Sequence, residues 1–339
     1  MSATTVTPQT GFLNYKRRRT ILRLTVIYVG TTILALFAAL PMVWMVSTAI
    51  KPRPELFSEP TTIIPSNATL ENFTRVTQPL TPSGRYFGTY FLNSTIVSVS
   101  SAFLSVVVAA PAAYAFSRFR FPGKSPAYFA VLARNMFPLI VFLIPLFTLM
   151  TTLRLTNTYP GLIIAYLTFT LPLSIWLLKG FFDAIPPELE RAARIDGCTR
   201  FGAFFRVILP LTTPGLAATA IYSFIQAWNE FPYALNLAFS TQMRTLPVGM
   251  TFFFSENQSD WTGLMATAVI ISIPVVIIFM ILQRYFIAAL TQGPGARARR
   301  PQGRASVANG GPRRVCLQPI SKVVVVLARL AGQVRGLPQ

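Results

Sequence analysis

Long apolar stretches alternate with short polar and basic stretches along most of the chain. Six of them are long enough to cross a membrane as helices, because about 20 predominantly apolar residues span a hydrocarbon layer of about 30 Å. They lie at residues 22–49, 89–116, 126–152, 160–182, 211–238 and 262–288. Pro138, Pro172 and Pro274 fall inside three of these segments, where we expect kinks. The pattern predicts an all-α, polytopic membrane protein with six transmembrane helices.

Composition supports this class and excludes several others. Hydrophobic residues make up 53% of the 339 residues and charged residues 12%, whereas a soluble domain carries about 25% charge. A net charge of +20 would suggest nucleic-acid binding in a soluble chain, but these basic residues lie in loops beside apolar segments, so no nucleic-acid partner is expected. The chain has no histidine and two cysteines, which leaves no imidazole base, zinc cluster or Ser-His-Asp site. We therefore expect no metal, no cofactor and no enzymatic activity.

The basic residues also predict the orientation, because Lys and Arg concentrate in cytoplasmic loops. They cluster at 16–23, 118–124 and 179–206, whereas the loops after the third and fifth segments carry only Arg154 and Arg244. Both termini are therefore predicted to lie in the cytoplasm. The basic N-terminal stretch precedes an apolar run that is too long for a signal peptide and has no clear cleavage site.

Two polar stretches differ from the other loops. The loop at 51–88 carries both basic and acidic residues and is rich in Pro, Thr, Ser and Asn. It is predicted to be extracytoplasmic with short structure, and it either contacts a soluble partner or only connects two helices. Beyond Gly293 the chain is rich in Arg, Gly and Pro, which predicts a basic, disordered cytoplasmic tail at 294–339. The expected organisation is an N-terminal cytoplasmic segment at 1–21, a six-span domain at 22–293 and this tail.

The loop between the fourth and fifth apolar segments, at 185–210, is polar but patterned. Pro187 suits the first turn of a helix, and Glu188 and Glu190 lie in that turn, where the helix macrodipole favours negative charge. Asp196–Gly197 ends this helix, since glycine readily adopts the left-handed conformation of a C-terminal cap. The apolar side of the helix consists of Leu189, Ala192, Ala193 and Ile195.

A second short helix follows, for which Thr199 is a suitable N-terminal cap. Its apolar face consists of Phe201, Phe204, Phe205 and Ile208. Pro210 marks the turn into the fifth segment. The whole loop is therefore predicted to be a compact helix-turn-helix at the cytoplasmic surface. Two short helices form a rigid docking element that can pass force to the spans that they join, which a plain connector would not need.

This loop resembles the loop motif of the inner-membrane permeases of binding-protein-dependent ABC importers. That motif is Glu-Ala-Ala, three residues, glycine, nine residues, and Ile-x-Leu-Pro. The matching positions here, without a gap, are Ala192, Ala193, Gly197, Leu209 and Pro210. Two positions depart, because Arg191 stands where the family has glutamate and Val207 where it has isoleucine. Any salt bridge made by that glutamate is not carried over, although Glu190 lies next to it.

Other stretches extend the resemblance over about 12–293. FLNSTIVSV, PAAYAFSRFRFPGK and IQAWNEFPYALNL are similar to the carbohydrate branch of these permeases, and in particular to the maltose-type second permease subunit. The resemblance implies a heterodimer with another permease subunit in the cytoplasmic membrane of a bacterium or archaeon. It also implies an extracytoplasmic sugar-binding protein and a dimer of cytoplasmic ATP-binding subunits docked on the 185–210 loop. The chain itself has no G-x-x-x-x-G-K-[ST] phosphate loop, so we expect ATP chemistry to belong to a partner.

Two polar residues within the fifth apolar segment, Asn229 and Glu230, form a second candidate site. A charged residue at membrane depth costs about 2.5–3.5 kcal/mol on insertion scales and usually faces a cavity or a partner. These residues either line the translocation pathway or a subunit interface, or make a structural hydrogen bond between helices.

Two alternatives to a carbohydrate permease remain open. The first is an ABC permease for another solute, such as a glycerophosphodiester or a polyol. The second is an ion-coupled secondary transporter, which predicts internal repeats and intramembrane ionisable groups. No repeat is visible, and Glu230 is the only deep carboxylate in the apolar segments.

Overall fold

The structure of the protein is a computed structural model that describes residues 10–59, 62–78, 86–254 and 259–291, with side chains described from 21 to 281. All regular structure in these ranges is helical. The α-helices are α1 (Thr10–Ala49), α2 (Glu71–Thr77), α3 (Phe87–Arg118), α4 (Lys124–Ala133), α5 (Leu143–Thr152), α6 (Tyr159–Asp183), α7 (Pro187–Ile195), α8 (Arg200–Ala203), α9 (Leu209–Leu211), α10 (Thr213–Trp228), α11 (Pro232–Leu237), α12 (Leu246–Gly249) and α13 (Trp261–Thr291). Short 3₁₀ turns cover Arg53–Phe57, Arg134–Met136, Leu139–Phe142 and Met250–Phe253, and a π-turn covers Phe204–Ile208. The predicted tail at 294–339 lies outside the described residues.

Four of the described helices are long and apolar enough to cross a membrane, and two bent helix pairs bring the number of candidate spans to six. The single spans are Ile21–Ala49, Phe87–Arg118, Tyr159–Asp183 and Trp261–Ile281, and the bent pairs are Lys124–Met136 with Leu139–Thr152 and Arg200–Leu211 with Thr213–Trp228. The predicted all-α polytopic membrane fold is therefore confirmed. Helix α1 begins earlier than the predicted segment, at Thr10, so the basic stretch at its start is also helical.

The third predicted segment is not one kinked helix, because its two halves meet at 104°. The break lies at Phe137 and Pro138. Phe137 is extended (φ −90°, ψ 138°), which is the conformation that a following proline favours. Pro138 has no N–H group and cannot continue the preceding turn. The proline was expected to bend the helix; the structure shows that it ends one helix and starts another.

The fifth predicted segment, 211–238, is also interrupted. Helix α10 ends at Trp228, and α11 starts at Pro232 after a non-helical step. Asn229 and Glu230 lie in this step and not inside a continuous membrane helix. Prediction of a single apolar helix was wrong here because hydropathy does not register a break of three residues.

The chain divides into two compact units. In the unit formed by 82–252 and 271–339, the helices α3, α6 and α10 pack closely against one another. Hydroxyl groups pair between them: Ser105 Oγ lies 2.6 Å from Thr170 Oγ1, and Ser174 Oγ lies 3.0 Å from Ser223 Oγ. Small side chains allow this close approach, and such pairs hold membrane helices together without a hydrophobic driving force between them.

The other unit, formed by 1–81 and 253–270, contains the predicted long loop up to residue 81. Two buried side chains of this loop donate hydrogen bonds to backbone carbonyls. Asn72 Nδ2 donates to the carbonyls of Ala49 and Lys51, both at 2.8 Å. The Lys51 side chain is buried, donates to the Thr62 carbonyl and lies 5.3 Å from the centre of the Trp44 ring. The loop is thus tied to the end of α1 by buried polar groups and is ordered over the residues described.

A carboxylate joins this loop to the start of α13. Asp260 forms ion pairs with Arg53 at 2.7 Å and with Arg75 at 3.0 Å, and it also accepts from the backbone N–H of Gly263 at 3.0 Å. The last of these contacts caps the helix N-terminus. Elsewhere in the loop, the Ser66 N–H donates to Glu55 at 2.7 Å and lowers the pKa of that carboxyl. The predicted short structure is confirmed, while contact with a soluble partner stays a prediction.

Candidate functional site

The first helix of the 185–210 loop has the bounds that its sequence predicts. Pro186 is extended and Pro187 occupies the first helical position of α7, with Glu188 and Glu190 in the first turn. The helix ends at Ile195, and Gly197 adopts a left-handed conformation (φ +89°). The chain therefore turns where glycine was expected to turn it.

The turn itself is closed by backbone hydrogen bonds. The Cys198 N–H donates to the Ala193 carbonyl at 3.0 Å, and the Gly197 N–H donates to the Arg194 carbonyl at 3.1 Å. Thr199 then caps the second helix, accepting from the Gly202 N–H at 3.1 Å. These contacts lie within ten residues of chain, so this part of the loop is shaped locally.

The second helix continues to Leu211 through the π-turn at Phe204–Ile208. π-turns inside α-helices occur frequently at functional sites. Phe204 and Ile208 are buried against α3 and α6, where the ring centres of Phe204 and Tyr114 lie 4.6 Å apart. The second helix is therefore packed against the helices on which the loop rests.

A polar cluster fixes α7 to the C-terminal ends of α3 and α6. The Tyr114 hydroxyl donates to Glu190 Oε1 at 2.8 Å, and Arg118 Nε lies 3.7 Å from Glu190 Oε2. Arg118 Nη2 also donates to the carbonyls of Phe182 at 2.9 Å and Ile185 at 2.6 Å. The side chains of Arg118 and Glu190 are 11% and 14% exposed. Glu190 therefore points towards the protein, and Arg118 joins three segments of chain.

The outer surface of the loop, by contrast, carries large apolar groups. Ile195 is 86% exposed and Phe201 is 78% exposed, and the side chains of Leu189, Ala192, Asp196 and Phe205 are also exposed. Of the predicted apolar side of α7, only Ala193 is buried, where it packs with Cys198 and Ala203. Leu209 is half-buried and Pro210 is exposed.

The predicted docking residues thus fall into two groups. Glu190 and Ala193 hold the loop in place, whereas Glu188, Ala192, Asp196, Gly197 and Phe205 are open to a partner. Sequence reasoning missed Tyr114 and Arg118. Arg118 was visible only as one of several basic residues beside a span, and nothing local indicates that it reaches Glu190.

Arg191, which replaces the glutamate of the motif, lies on the outer surface. Its side chain is 73% exposed and lies 3.9 Å from that of Glu188, which is 70% exposed. Exposed ion pairs of this kind contribute between 0 and about 1 kcal/mol. The substitution therefore changes the surface charge of α7 and leaves its attachment through Glu190 intact.

The second candidate site lies at the break between α10 and α11. Glu230 is buried and accepts from the backbone N–H groups of Tyr233 at 2.6 Å and Ala234 at 3.0 Å, so it caps the N-terminal end of α11. Asn229 is exposed and donates to the Ile225 carbonyl at 2.9 Å. The carboxylate serves local structure, and a pathway or interface role for either residue stays a prediction. Within the described residues, no group of three or more His, Cys, Asp or Glu side chains could hold a metal ion.

Known proteins resemble the chain over most of its length. The diacetylchitobiose uptake system permease protein DasC of Streptomyces coelicolor is 36% identical over 269 residues, which is 79% of this chain and 96% of that protein. The trehalose transport system permease protein SugB of Mycobacterium tuberculosis is 38% identical over 264 residues, which is 77% of this chain and 94% of that protein.

A solved structure shares the fold. A chain of a bacterial ABC transporter involved in the import of the acidic polysaccharide alginate matches with a TM-score of 0.66 and 24% identity, covering 84% of this chain and 100% of that chain. The family described as the binding-protein-dependent transport system inner membrane component matches residues 102–292. The chain therefore belongs to the family of inner-membrane components of binding-protein-dependent transport systems.

Proposed function

We propose that this chain is one of two permease subunits of an ABC importer that moves a carbohydrate, and specifically an oligosaccharide, across the cytoplasmic membrane. A dimer of separate ATP-binding subunits docks on the 185–210 loop and drives transport. An extracytoplasmic sugar-binding protein delivers the solute. Diacetylchitobiose and trehalose, the solutes named for two relatives, support the carbohydrate class.

One observation carries the docking role of the loop. A helix-turn-helix of defined shape exposes Ile195 and Phe201, while its other side is fixed to α3 and α6 through Glu190 and Arg118. Large apolar side chains exposed on a rigid element, beside charged ones, are typical of a protein–protein contact. A loop that only joined two spans would gain nothing from either property.

The topology belongs to the same proposal. Both termini lie in the cytoplasm of a bacterium or archaeon, as the distribution of Lys and Arg favours. The permease domain spans 22–293, preceded by a cytoplasmic segment at 1–21 and followed by a cytoplasmic tail at 294–339. The chain catalyses no reaction itself, since its part is to form half of a pathway that the partner subunits open and close.

The docking role is tested by co-purification of the ATP-binding subunit. I195D places a charge on the exposed turn of the loop, and we expect it to reduce the amount of ATP-binding subunit retained by about tenfold or more, as loss of an apolar contact at an interface centre does. I64D makes the same change at another exposed apolar residue, outside the loop, and serves as the control. Membrane insertion should be equal for both variants. Undiminished co-purification with I195D would refute the docking assignment.

The solute class and the energy source need separate measurements. The importer, reconstituted in liposomes with its binding protein, is offered disaccharides, a polyol and a glycerophosphodiester, with ATP enclosed. We expect uptake of a disaccharide that depends on ATP. Uptake of the polyol or glycerophosphodiester alone would assign another solute class, and uptake driven by an ion gradient without ATP would indicate a secondary transporter.

A further inference from the structure

Further charged and polar side chains lie beside the contact between α7 and α3. Besides Glu190 and Arg118, the C-terminal ends of α3 and α6 are joined by Ser117, whose hydroxyl donates to Asp183 Oδ1 at 2.6 Å. Asp183 Oδ2 in turn lies 2.5 Å from Lys179 Nζ. Two side-chain contacts thus join α7 to α3 at Glu190, and one joins α3 to α6 at Asp183.

Buried ion pairs rarely hold a fold together more strongly than apolar groups of the same shape would, because two charges must lose their hydration. Their advantage is geometric. The Arg118 guanidinium presents fixed N–H directions, and its Nη2 donates to the carbonyls of Phe182, near the end of α6, and of Ile185, at the start of the loop. Glu190 is met from two sides, by the Tyr114 hydroxyl and by Arg118. The cluster therefore defines both the distance and the rotation of α7 relative to α3 and α6.

The aromatic packing around the cluster agrees with this. The Tyr114 ring centre lies 5.9 Å from that of Phe182 and 4.6 Å from that of Phe204, with the Phe182 and Phe204 rings 6.1 Å apart. These three rings come from α3, α6 and the second helix of the loop. The aromatic cluster thus holds the second helix of the loop to α3 and α6, and the polar cluster holds α7 to the same two helices.

We propose that Arg118 and Glu190 are the positioning residues through which a displacement of the loop becomes a displacement of α3 and α6. In this arrangement α7, the end of α3 and the end of α6 move as one body. The exposed side of α7 receives the force, and the inward-facing Glu190 passes it to Arg118. This inference rests on the proposed docking of an ATP-binding subunit on the loop.

The direct test compares two identical substitutions two residues apart. E190Q removes the charge that faces Arg118 while keeping an oxygen that accepts from Tyr114, and E188Q makes the same change on the exposed side of α7. The readouts are solute transported per ATP hydrolysed and the basal ATPase activity of the assembled importer. We expect E190Q to lower transport per ATP by about fivefold or more, the lower end of common coupling effects, with basal activity retained. E188Q lies on the face proposed to dock, so it can alter retention of the ATP-binding subunit but should leave transport per ATP unchanged.

A rescue variant separates positioning from simple damage. R118Q should lower transport per ATP as E190Q does, whereas R118K should restore part of it, because lysine keeps the charge but not the two directed hydrogen bonds. Equal transport per ATP in E190Q and E188Q would overturn the inference. If the unaltered chain failed to retain an ATP-binding subunit at all, the proposed function would fail instead, so the two failures are distinguishable.

A distance measurement keeps the inference testable if E190Q does not assemble. Spin labels are placed at R120C and R194C, both exposed, in a chain whose Cys198 and Cys316 are replaced by alanine. Electron–electron resonance distances are compared between the nucleotide-free importer and the importer trapped with ATP and vanadate. A change within about 2 Å, the size of a small helix shift, supports movement as one body. A larger change would show that α7 moves independently of α3 and would refute the proposal.

Discussion

The two long polar loops of this protein, 51–78 and 185–210, are stabilised in opposite ways. The first is held by side chains distant in sequence: Arg75 meets Asp260, 185 residues further on, and Asn72 reaches back to the end of α1. The second obtains its shape from contacts within a few residues, including the Thr199 cap and the left-handed Gly197. It is attached to α3 and α6 on its inner side, through the polar cluster at Glu190 and the aromatic cluster at Phe204.

The difference shows what each loop is suited to do. A loop held along its length by buried polar groups is fixed to its surroundings, and displacing it breaks several hydrogen bonds at once. A loop that is rigid in itself and attached on its inner side only can be pushed as a unit. The 185–210 loop is of this second, internally rigid kind, which agrees with its proposed role in transmitting force.

The largest effect on stability should come from removing the ion pairs between the 51–78 loop and Asp260. D260N leaves Arg53 and Arg75 without their carboxylate and weakens the cap of α13, and the side chains of Arg75 and Asp260 are 20% and 22% exposed. We expect a loss of about 2–3 kcal/mol of stability, somewhat below the range for fully buried pairs. Thermal unfolding of the purified protein, together with protease cleavage within 51–78, measures it. E59Q changes an acidic residue of the same loop as a control, and an equal effect of both would show that Asp260 does not hold the loop.

An intermediate effect on stability is expected for a substitution at Gly197, in the turn of the 185–210 loop. G197A adds a methyl group that meets no atom within 4 Å, so its cost comes from the left-handed backbone alone, about 1–2 kcal/mol. G180A is the matched control, because Gly180 lies in a helix with equally open space and no positive φ. We expect G197A to reduce retention of the ATP-binding subunit and G180A to leave it unchanged. Equal retention in both would mean that docking does not depend on the shape of this turn.

The smallest change in stability should come from the exposed face of α7. R191E restores the glutamate of the family motif and reverses a charge that is 73% exposed, so stability should change by no more than about 0.5 kcal/mol. R120E makes the same reversal at an exposed residue outside the loop. If α7 docks through this face, R191E alone changes retention of the ATP-binding subunit. A large loss of stability in R191E would place Arg191 in the framework of the loop and not on its contact surface.

Much of this organisation follows from local sequence. The apolar segments, the start of α7 after Pro187 and the turn at Gly197 depend on residues close to one another, and the structure has them where they were predicted. Two breaks did not follow, at Phe137–Pro138 and at Asn229–Phe231. Hydropathy averages over a window and does not detect a short step between two apolar helices, even where a proline marks the position.

The sequence by itself determined that the chain is a polytopic helical membrane protein with a patterned loop between its fourth and fifth apolar segments. Only the tertiary structure decided which way the residues of that loop face. Glu188 and Glu190 are equivalent in the sequence, yet one is exposed and the other meets Tyr114, 76 residues earlier. Periodicity reports which residues share a helix face, whereas the packing of α3 on α6 decides which charge finds a partner. For the same reason Arg118 serves as an anchor, since the carbonyl of Phe182 that it reaches lies 64 residues further on, near the end of α6.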